Sequence, residues 1–153
     1  KYAMPFIYVI QKDGKVYCYV KKAICNTDGI EVNNERIVNY AKELKIEQLF
    51  IESNGVGLAS VKLLHSALEN DCEVKGYAAT INKEVRILSH YEFVKKHFIF
   101  DSNYESDKDY KQLISDATSY VKNGQNNHKK DAIDVLCAAA NIIKKMYGDV
   151  LYQ

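Results

Sequence analysis

The sequence of 153 residues contains little that would divide the chain or hold it in a membrane. It has one proline and no run rich in serine and glycine, so no linker is visible. It has no internal repeat, no recognisable signal peptide and no apolar run long enough to span a bilayer. We therefore expect a single cytoplasmic domain over residues 1–153, and the start at Lys1 rather than Met suggests a fragment of a longer protein.

The chain also lacks paired cysteines and an excess of charge of one sign. No CxxC pair occurs, so we expect reduced thiols and no zinc at Cys18, Cys25, Cys72 and Cys137. A net charge of +1 argues against a protein that simply coats nucleic acid. A nuclease is not excluded by this net charge, because the negative charge of clustered carboxylates in its site would offset the positive charge of lysines elsewhere.

The hydrophobic pattern predicts a hairpin followed by alternating helices and strands. Strands are predicted at Ala3–Ile10 and Lys15–Ile24, with the turn dipeptide Asp13-Gly14 between them. This order implies an α/β fold with a mixed sheet and helices on both faces. The remaining predicted elements are helix 32–45, strand 48–53, helix 58–70, strand 72–78, helix 83–97, strand 98–100, helix 107–122 and helix 130–147.

One candidate site is HKKDAIDVL, at the start of the last predicted helix. His128, Asp131 and Asp134 are spaced by three, which places them along one edge of a helix. The adjoining face, with Ile133 and Leu136 as examples, is apolar and would pack on the sheet. The alternative is a helix cap at Asp131, a solvated surface acid at Asp134 and a loop residue at His128.

A second candidate is Glu52, at the end of a short apolar strand. The carboxyl ends of central strands are where sites gather in α/β sheets, although a strand-end glutamate often only points into water. The small turn Ser53–Gly57 follows and leads directly into a helix. Such a turn lets another backbone or a phosphate approach closely, but no Gly-Lys-Ser/Thr makes it a Walker A loop.

These carboxylates suit metal-dependent hydrolysis of a phosphodiester. Mg²⁺ prefers carboxylate and water ligands, and two such ions stabilise the attacking and leaving oxygens. Glu52, Asp131 and Asp134 would hold the ions. His128 would be an auxiliary ligand, or it would hydrogen-bond the attacking water or the scissile phosphate.

The segments LFIESNGVGLASVKLL and HKKDAIDVLCAAA resemble, in this order, two acidic motifs of the nuclease domain of phage terminase large subunits. KEVRIL, HFIF and DYKQLISDATSYV resemble the segments between them. The resemblance covers nearly the whole chain and implies the ribonuclease H-like fold. The family's first catalytic Asp, in an Asp-x-Ala-like motif, has no counterpart here, so we expect its strand before Lys1. Asp13 lies in the hairpin turn and does not replace it.

The resemblance also implies residue roles. Glu52 and Asp131 match the second and third metal-binding carboxylates, and His128 matches the accessory residue before the third. Asp134 is either an additional ligand or a partner behind the ligands. The other implied roles are shaping of the turn by Asn54 and Gly55, and DNA contact or support of the acids by Lys83 and Arg86. Independently of the resemblance, Lys129 and Lys130 flank the proposed site and could contact phosphates, although charged helix ends are usually solvated. Lys83 and Arg86 are equally explained as ordinary exposed positions.

The implied function is cleavage of double-stranded viral DNA during genome packaging in the cytoplasm of a host bacterium. Its cofactor would be Mg²⁺ or Mn²⁺ in a two-metal site. Its partners would be DNA, an ATPase domain in cis, the portal and the small terminase subunit. The alternatives are a resolvase or transposase-type nuclease of the same superfamily, and a non-catalytic module that binds DNA or docks to the motor.

Four tyrosines on the predicted hairpin suggest stacking on bases. Tyrosine is also a common strand former on half-exposed sheets, and the sequence favours that simpler explanation for Tyr2, Tyr8, Tyr17 and Tyr19.

Overall fold

The computed structural model describes residues 1–55, 57–120 and 130–148 and divides the chain into two compact units. The first unit combines residues 1–27 with residues 83–153, and the second comprises residues 28–82. Along the chain, the second unit is thus an insertion between two parts of the first. The fold is α/β with a mixed sheet, as predicted, whereas the expectation of a single domain stays a prediction.

In its described residues, the first unit contains a three-stranded mixed sheet and three α-helices. Its elements are β1 (Tyr2–Lys12), β2 (Lys15–Asn26), α3 (Lys83–His97), β5 (Phe98–Phe100), a short 3₁₀ turn (Tyr104–Ser106), α4 (Lys108–Thr118) and α5 (Lys130–Met146). The strand order is β1-β2-β5, with β1 antiparallel to β2 and β5 parallel to β2.

The predicted hairpin turn is confirmed. Asp13 and Gly14 have φ angles of 53° and 74°, the left-handed pair that a two-residue type I′ turn requires. The register shifts by one residue at Lys21, where β2 carries a bulge opposite Phe6 and Ile7. Because a bulge turns the following side chains to the other face, the residues of β2 in the core cluster change from Val16, Cys18 and Val20 to Ala23 and Cys25 beyond it.

One face of this sheet packs against the helices and forms the core of the first unit. β2 contributes Val16, Cys18 and Val20, each at most 2% exposed. The apolar face of α5 is buried in this cluster, which confirms the predicted packing of Ile133, Leu136, Cys137 and Ala140.

The second unit is built around two parallel strands. β3 (Gln48–Glu52) pairs with β4 (Glu73–Tyr77) over their whole lengths, from Gln48↔Glu73 to Glu52↔Tyr77. Its buried apolar residues come from the strands and from both helices, with Ile37, Leu49, Leu64 and Val74 as examples. Its elements are α1 (Ile30–Glu43), β3 (Gln48–Glu52), α2 (Gly57–Ala67) and β4 (Glu73–Tyr77).

Two expectations differ from the structure. In the described residues the strands form two sheets rather than one, because β3 and β4 pair only with each other. Helix α1 ends at Glu43, not at Lys45, because Lys45 adopts a φ of 53° that a right-handed helix does not accommodate. None of the described helices is both long and apolar enough to cross a membrane.

Candidate functional site

Glu52 is the last residue of β3, and its side chain is exposed. The next residue fixes the end of the strand, because the Ser53 amide and the Ser53 hydroxyl both donate to the Tyr77 carbonyl, at 2.8 and 3.0 Å. The exposed carboxylate of Glu52 therefore projects from the carboxyl end of a parallel strand pair that is held in register.

The turn after Glu52 is closed by its own backbone and by Asn54. The Asn54 side chain donates to the Ala79 carbonyl at 3.0 Å, and the backbone carbonyl of Asn54 accepts from the Gly57 amide at 3.1 Å. Gly55 has a φ of 57°. A Cβ atom at Gly57 would overlap the Glu52 carbonyl oxygen, so the chain passes its own strand more closely than any other residue allows.

The first turn of α5 carries Asp131 in the first unit. Lys83, the first residue of α3, donates to Asp131 Oδ1 at 2.6 Å. The Asp131 side chain keeps 33% of its surface exposed, so water and ions reach it. An acid in the first helical turn is favoured by the helix dipole. Lys130 begins the helix and is partly buried, whereas His128 and Lys129 lie outside the described residues.

Asp134 is held by Arg86 and is not a surface acid. The Arg86 Nε atom donates to Oδ1 at 3.0 Å and its Nη2 atom donates to Oδ2 at 2.7 Å, so each carboxylate oxygen accepts one bond. The side chains are 13% and 9% exposed. The solvated-acid alternative for Asp134 is therefore wrong, and Arg86 is not an ordinary exposed position. The contact fits a residue that supports the acidic side chains.

A third acid in the same unit, Asp116, is one that the sequence reasoning missed. It is 1% exposed and accepts from Lys1 Nζ at 2.9 Å and from Gln112 at 2.8 Å. The hydrogen bond to Asp116 raises the pKa of the Lys1 side chain. The spacing of Tyr110, Leu113 and Asp116 places this acid on the buried face of α4, and that spacing is the signal that could have found it.

The structure thus brings four of the expected site residues together in the first unit, Lys83, Arg86, Asp131 and Asp134. It places Glu52, Asn54 and Gly55 in the second unit. Within the described residues no group of three His, Cys, Asp or Glu side chains is arranged to hold a metal ion.

Free thiols in the core contribute no nucleophile. The four cysteines are free thiols, as expected, and Cys18, Cys25 and Cys137 are buried. Burial raises the pKa of each of these three thiols to about 12. Because the thiolate is the reactive form, they are inert at neutral pH.

The near-neutral net charge of the chain conceals two units of opposite charge. The first unit carries 16 Lys and Arg against 11 Asp and Glu, a net charge of +5. The second carries 5 against 9, a net charge of −4. The argument against nucleic-acid binding from the total charge therefore does not apply to the first unit alone.

Comparison with known protein families, with curated proteins and with solved structures finds no match to this chain.

Proposed function

We propose that the chain is a nuclease domain of the phage terminase large-subunit type, with a ribonuclease H-like fold, that cleaves double-stranded viral DNA during genome packaging. The support is the ordered pair of sequence motifs around Glu52 and Asp131. The proposal includes an ATPase domain in cis, and the portal and the small terminase subunit as further partners.

The observation that carries the proposal is the local structure around Glu52. An exposed carboxylate at the end of a parallel strand is followed by a turn that needs glycine at Gly57 for steric reasons. The close approach of Gly57 to the Glu52 backbone carbonyl fixes the strand end from which the carboxylate projects. The combination supports a carboxylate that is held in a fixed position at the carboxyl end of a parallel strand, where sites gather in α/β sheets.

The acids of α5 fit the proposal to different degrees. Asp131 fits a metal ligand, because it is partly exposed and Lys83 contacts only its Oδ1 atom among the described hydrogen bonds. Asp134 fits that role poorly, because Arg86 engages both of its oxygens in a nearly buried pair. We assign Asp134 and Arg86 to positioning of the α5 start, and Lys83 to the charge balance of Asp131.

Mg²⁺ or Mn²⁺ is part of the proposal, and Glu52 of the second unit and Asp131 of the first unit are each candidate ligands. Such an ion would lower the pKa of a bound water and stabilise negative charge on phosphate oxygens. Since the described residues do not assemble a group of three ligands, we derive no reaction step through a metal. The predicted accessory residue His128 and the phosphate-contacting Lys129 lie outside the described residues.

A second candidate is the non-catalytic module, and a specific observation favours it. Three acids of the first unit, Asp116, Asp131 and Asp134, each contact a cation in the described structure, namely Lys1, Lys83 and Arg86 in that order. Acids balanced in this way also suit a purely structural role.

The test is cleavage of linear duplex DNA with Mg²⁺ or Mn²⁺, by this chain and by the full-length protein. Glu52→Gln and Asp131→Asn should each abolish cutting in the full-length protein and weaken Mn²⁺ binding measured by calorimetry. Glu69→Gln, at another exposed glutamate of the second unit, is the matched control and should cut normally.

Undiminished cutting by Glu52→Gln would overturn the assignment. A full-length protein that binds duplex DNA but neither cuts it nor binds Mn²⁺ would support the non-catalytic module instead. Preference for branched over linear duplex would indicate the resolvase-type alternative.

A further inference from the structure

The distal part of the β1-β2 hairpin presents a face of aromatic and basic side chains. Residues directly opposite each other in an antiparallel pair point to the same face, and every second pair shares that face. Three such alternate pairs lie on one face here, Tyr8 with Tyr19, Ile10 with Tyr17 and Lys12 with Lys15. We call this face the hairpin platform and define it by Tyr8, Ile10, Lys12, Lys15, Tyr17 and Tyr19.

The hairpin platform is open because the buried residues of this distal part of the hairpin lie on the opposite side of the strands. The alternate residues Val16, Cys18 and Val20 are buried in the core of the first unit. On the platform, Tyr8 is 36% and Tyr19 is 37% exposed. Ile10, which lies near the turn end of β1, is 45% exposed. The face therefore offers flat apolar surface to a ligand.

Lysines surround these rings. Lys12 and Lys15 form the last pair before the turn, and Lys21 lies at the bulge with its Nζ atom 5.4 Å from the centre of the Tyr8 ring. Between residues 8 and 21 the one acidic residue is Asp13, which lies in the hairpin turn. The hairpin extends from the unit with a net charge of +5, so its charge complements an anionic chain.

This combination matches the chemistry of an unpaired nucleic-acid strand. Aromatic rings on an open sheet stack on exposed bases of any sequence, and neighbouring lysines contact the phosphates. The distance from the Tyr8–Tyr19 pair to the Lys12–Lys15 pair is four residues, or about 14 Å at the usual strand rise, which is enough for roughly two to three nucleotides. The Lys21 side chain is long enough to exchange its ring contact for a phosphate.

We propose that the hairpin platform binds single-stranded nucleic acid. Strand propensity accounts for tyrosine on half-exposed strands, but it does not account for three lysines grouped around the rings on one face. Association of two copies through this face is disfavoured, because it would bring these lysines together. The proposal goes beyond the nuclease proposal and does not rest on it, since it involves neither Glu52 nor Asp131.

The test is fluorescence anisotropy of the full chain with a labelled oligothymidine of about 12 nucleotides, which lies within the usual range of site sizes. EDTA is present, so the result is independent of any cleavage. We expect tighter binding to the single strand than to a duplex of equal length. Tyr8→Ala and Tyr19→Ala should each raise Kd about tenfold, whereas Tyr8→Phe and Tyr19→Phe, which keep the ring, should bind nearly normally. Lys12→Gln and Lys15→Gln should each lower the salt dependence of log Kd by about 0.7.

Tyr91→Ala is the matched control. Tyr91 is 40% exposed in the same unit, and Lys95 lies 5.2 Å from its ring centre, but this pair stands on helix α3 beside Glu92. Tyr91→Ala should leave Kd unchanged. The proposal is overturned if the two platform alanine variants bind as the wild type does, if Tyr91→Ala weakens binding equally, or if the duplex binds more tightly than the single strand. The lysine variants retain the apolar surface, so their salt dependence remains a valid test even if an alanine variant folds poorly.

Discussion

The two units of the chain bury their polar groups in different ways. Among the described residues of the first unit, the fully or nearly buried polar side chains are two carboxylates, Asp116 and Asp134, each bonded to a basic side chain. In the second unit they are neutral, Asn33, Asn34 and Ser60. A buried charge depends on its partner for several kcal/mol, whereas a neutral hydrogen bond contributes about 1 kcal/mol. The first unit should therefore be much more sensitive to loss of a single polar partner.

The largest expected effect is at Arg86. Arg86→Met leaves the carboxylate of Asp134 buried without its cation, and we expect a loss of about 3–5 kcal/mol in the free energy of unfolding. Urea denaturation measures this loss, and hydrogen exchange should locate it in α3 and α5. The double variant Arg86→Met with Asp134→Leu should recover most of the stability, because an apolar pair replaces the charged one.

Lys83→Met provides the control for Arg86. Its pair with Asp131 is 41% and 33% exposed, so solvent screens the interaction and the expected loss is at most about 1 kcal/mol. Equal losses for the two variants would mean that the buried ion pair is no more important for stability than the exposed one. The expected sensitivity of the first unit to loss of a buried polar partner would then be wrong.

The next effect is expected in the second unit and is steric rather than electrostatic. Gly57→Ala drives a Cβ atom into the Glu52 carbonyl oxygen, a backbone atom that yields only if the strand end moves. We expect a loss of about 1–3 kcal/mol, as for overpacking in a core, with faster hydrogen exchange in β3 and α2. If the proposed function is correct, cleavage should fall as well, because Glu52 is displaced.

Gly55→Ala separates the cost of a left-handed backbone conformation from the cost of a steric overlap in this turn. Gly55 has a φ of 57°, but a Cβ atom there would meet nothing within 4 Å. We therefore expect only the conformational cost of about 1 kcal/mol. A larger loss at Gly55 than at Gly57 would contradict the close approach that we assign to Gly57.

The sequence predicted local elements well and long-range partners poorly. Asp13-Gly14 specified the hairpin turn, and helical spacing gave α3 its observed limits of Lys83 and His97, because both signals lie within a few neighbouring residues. The pair of Arg86 and Asp134 joins residues 48 positions apart, and no local pattern specifies it. Strand partners are equally non-local, which is why the division into two sheets was missed.

In the candidate site, too, local features were predicted from the sequence and long-range partners were not. The exposed Glu52 at a strand end and the glycine turn after it follow from adjacent residues, and the structure places both as the sequence suggested. The role of Asp134 depended on whether a distant cation reached it, so the sequence left two roles open. Asp116 escaped notice because one acid on an apolar helix face gives a weak signal until its partners Lys1 and Gln112 are known.

A small effect is also expected at Ser60, where the loss of a neutral buried partner tests the contrast between the units. Asn34 donates its side-chain amide to the Ser60 hydroxyl at 3.3 Å, a long bond between two buried neutral groups. Ser60→Ala removes the acceptor and should cost about 0.5–1.5 kcal/mol in the free energy of unfolding. Urea denaturation beside Arg86→Met gives the comparison directly. A loss at Ser60 as large as that at Arg86 would show that the cost of breaking a buried pair in this chain depends on burial and not on charge.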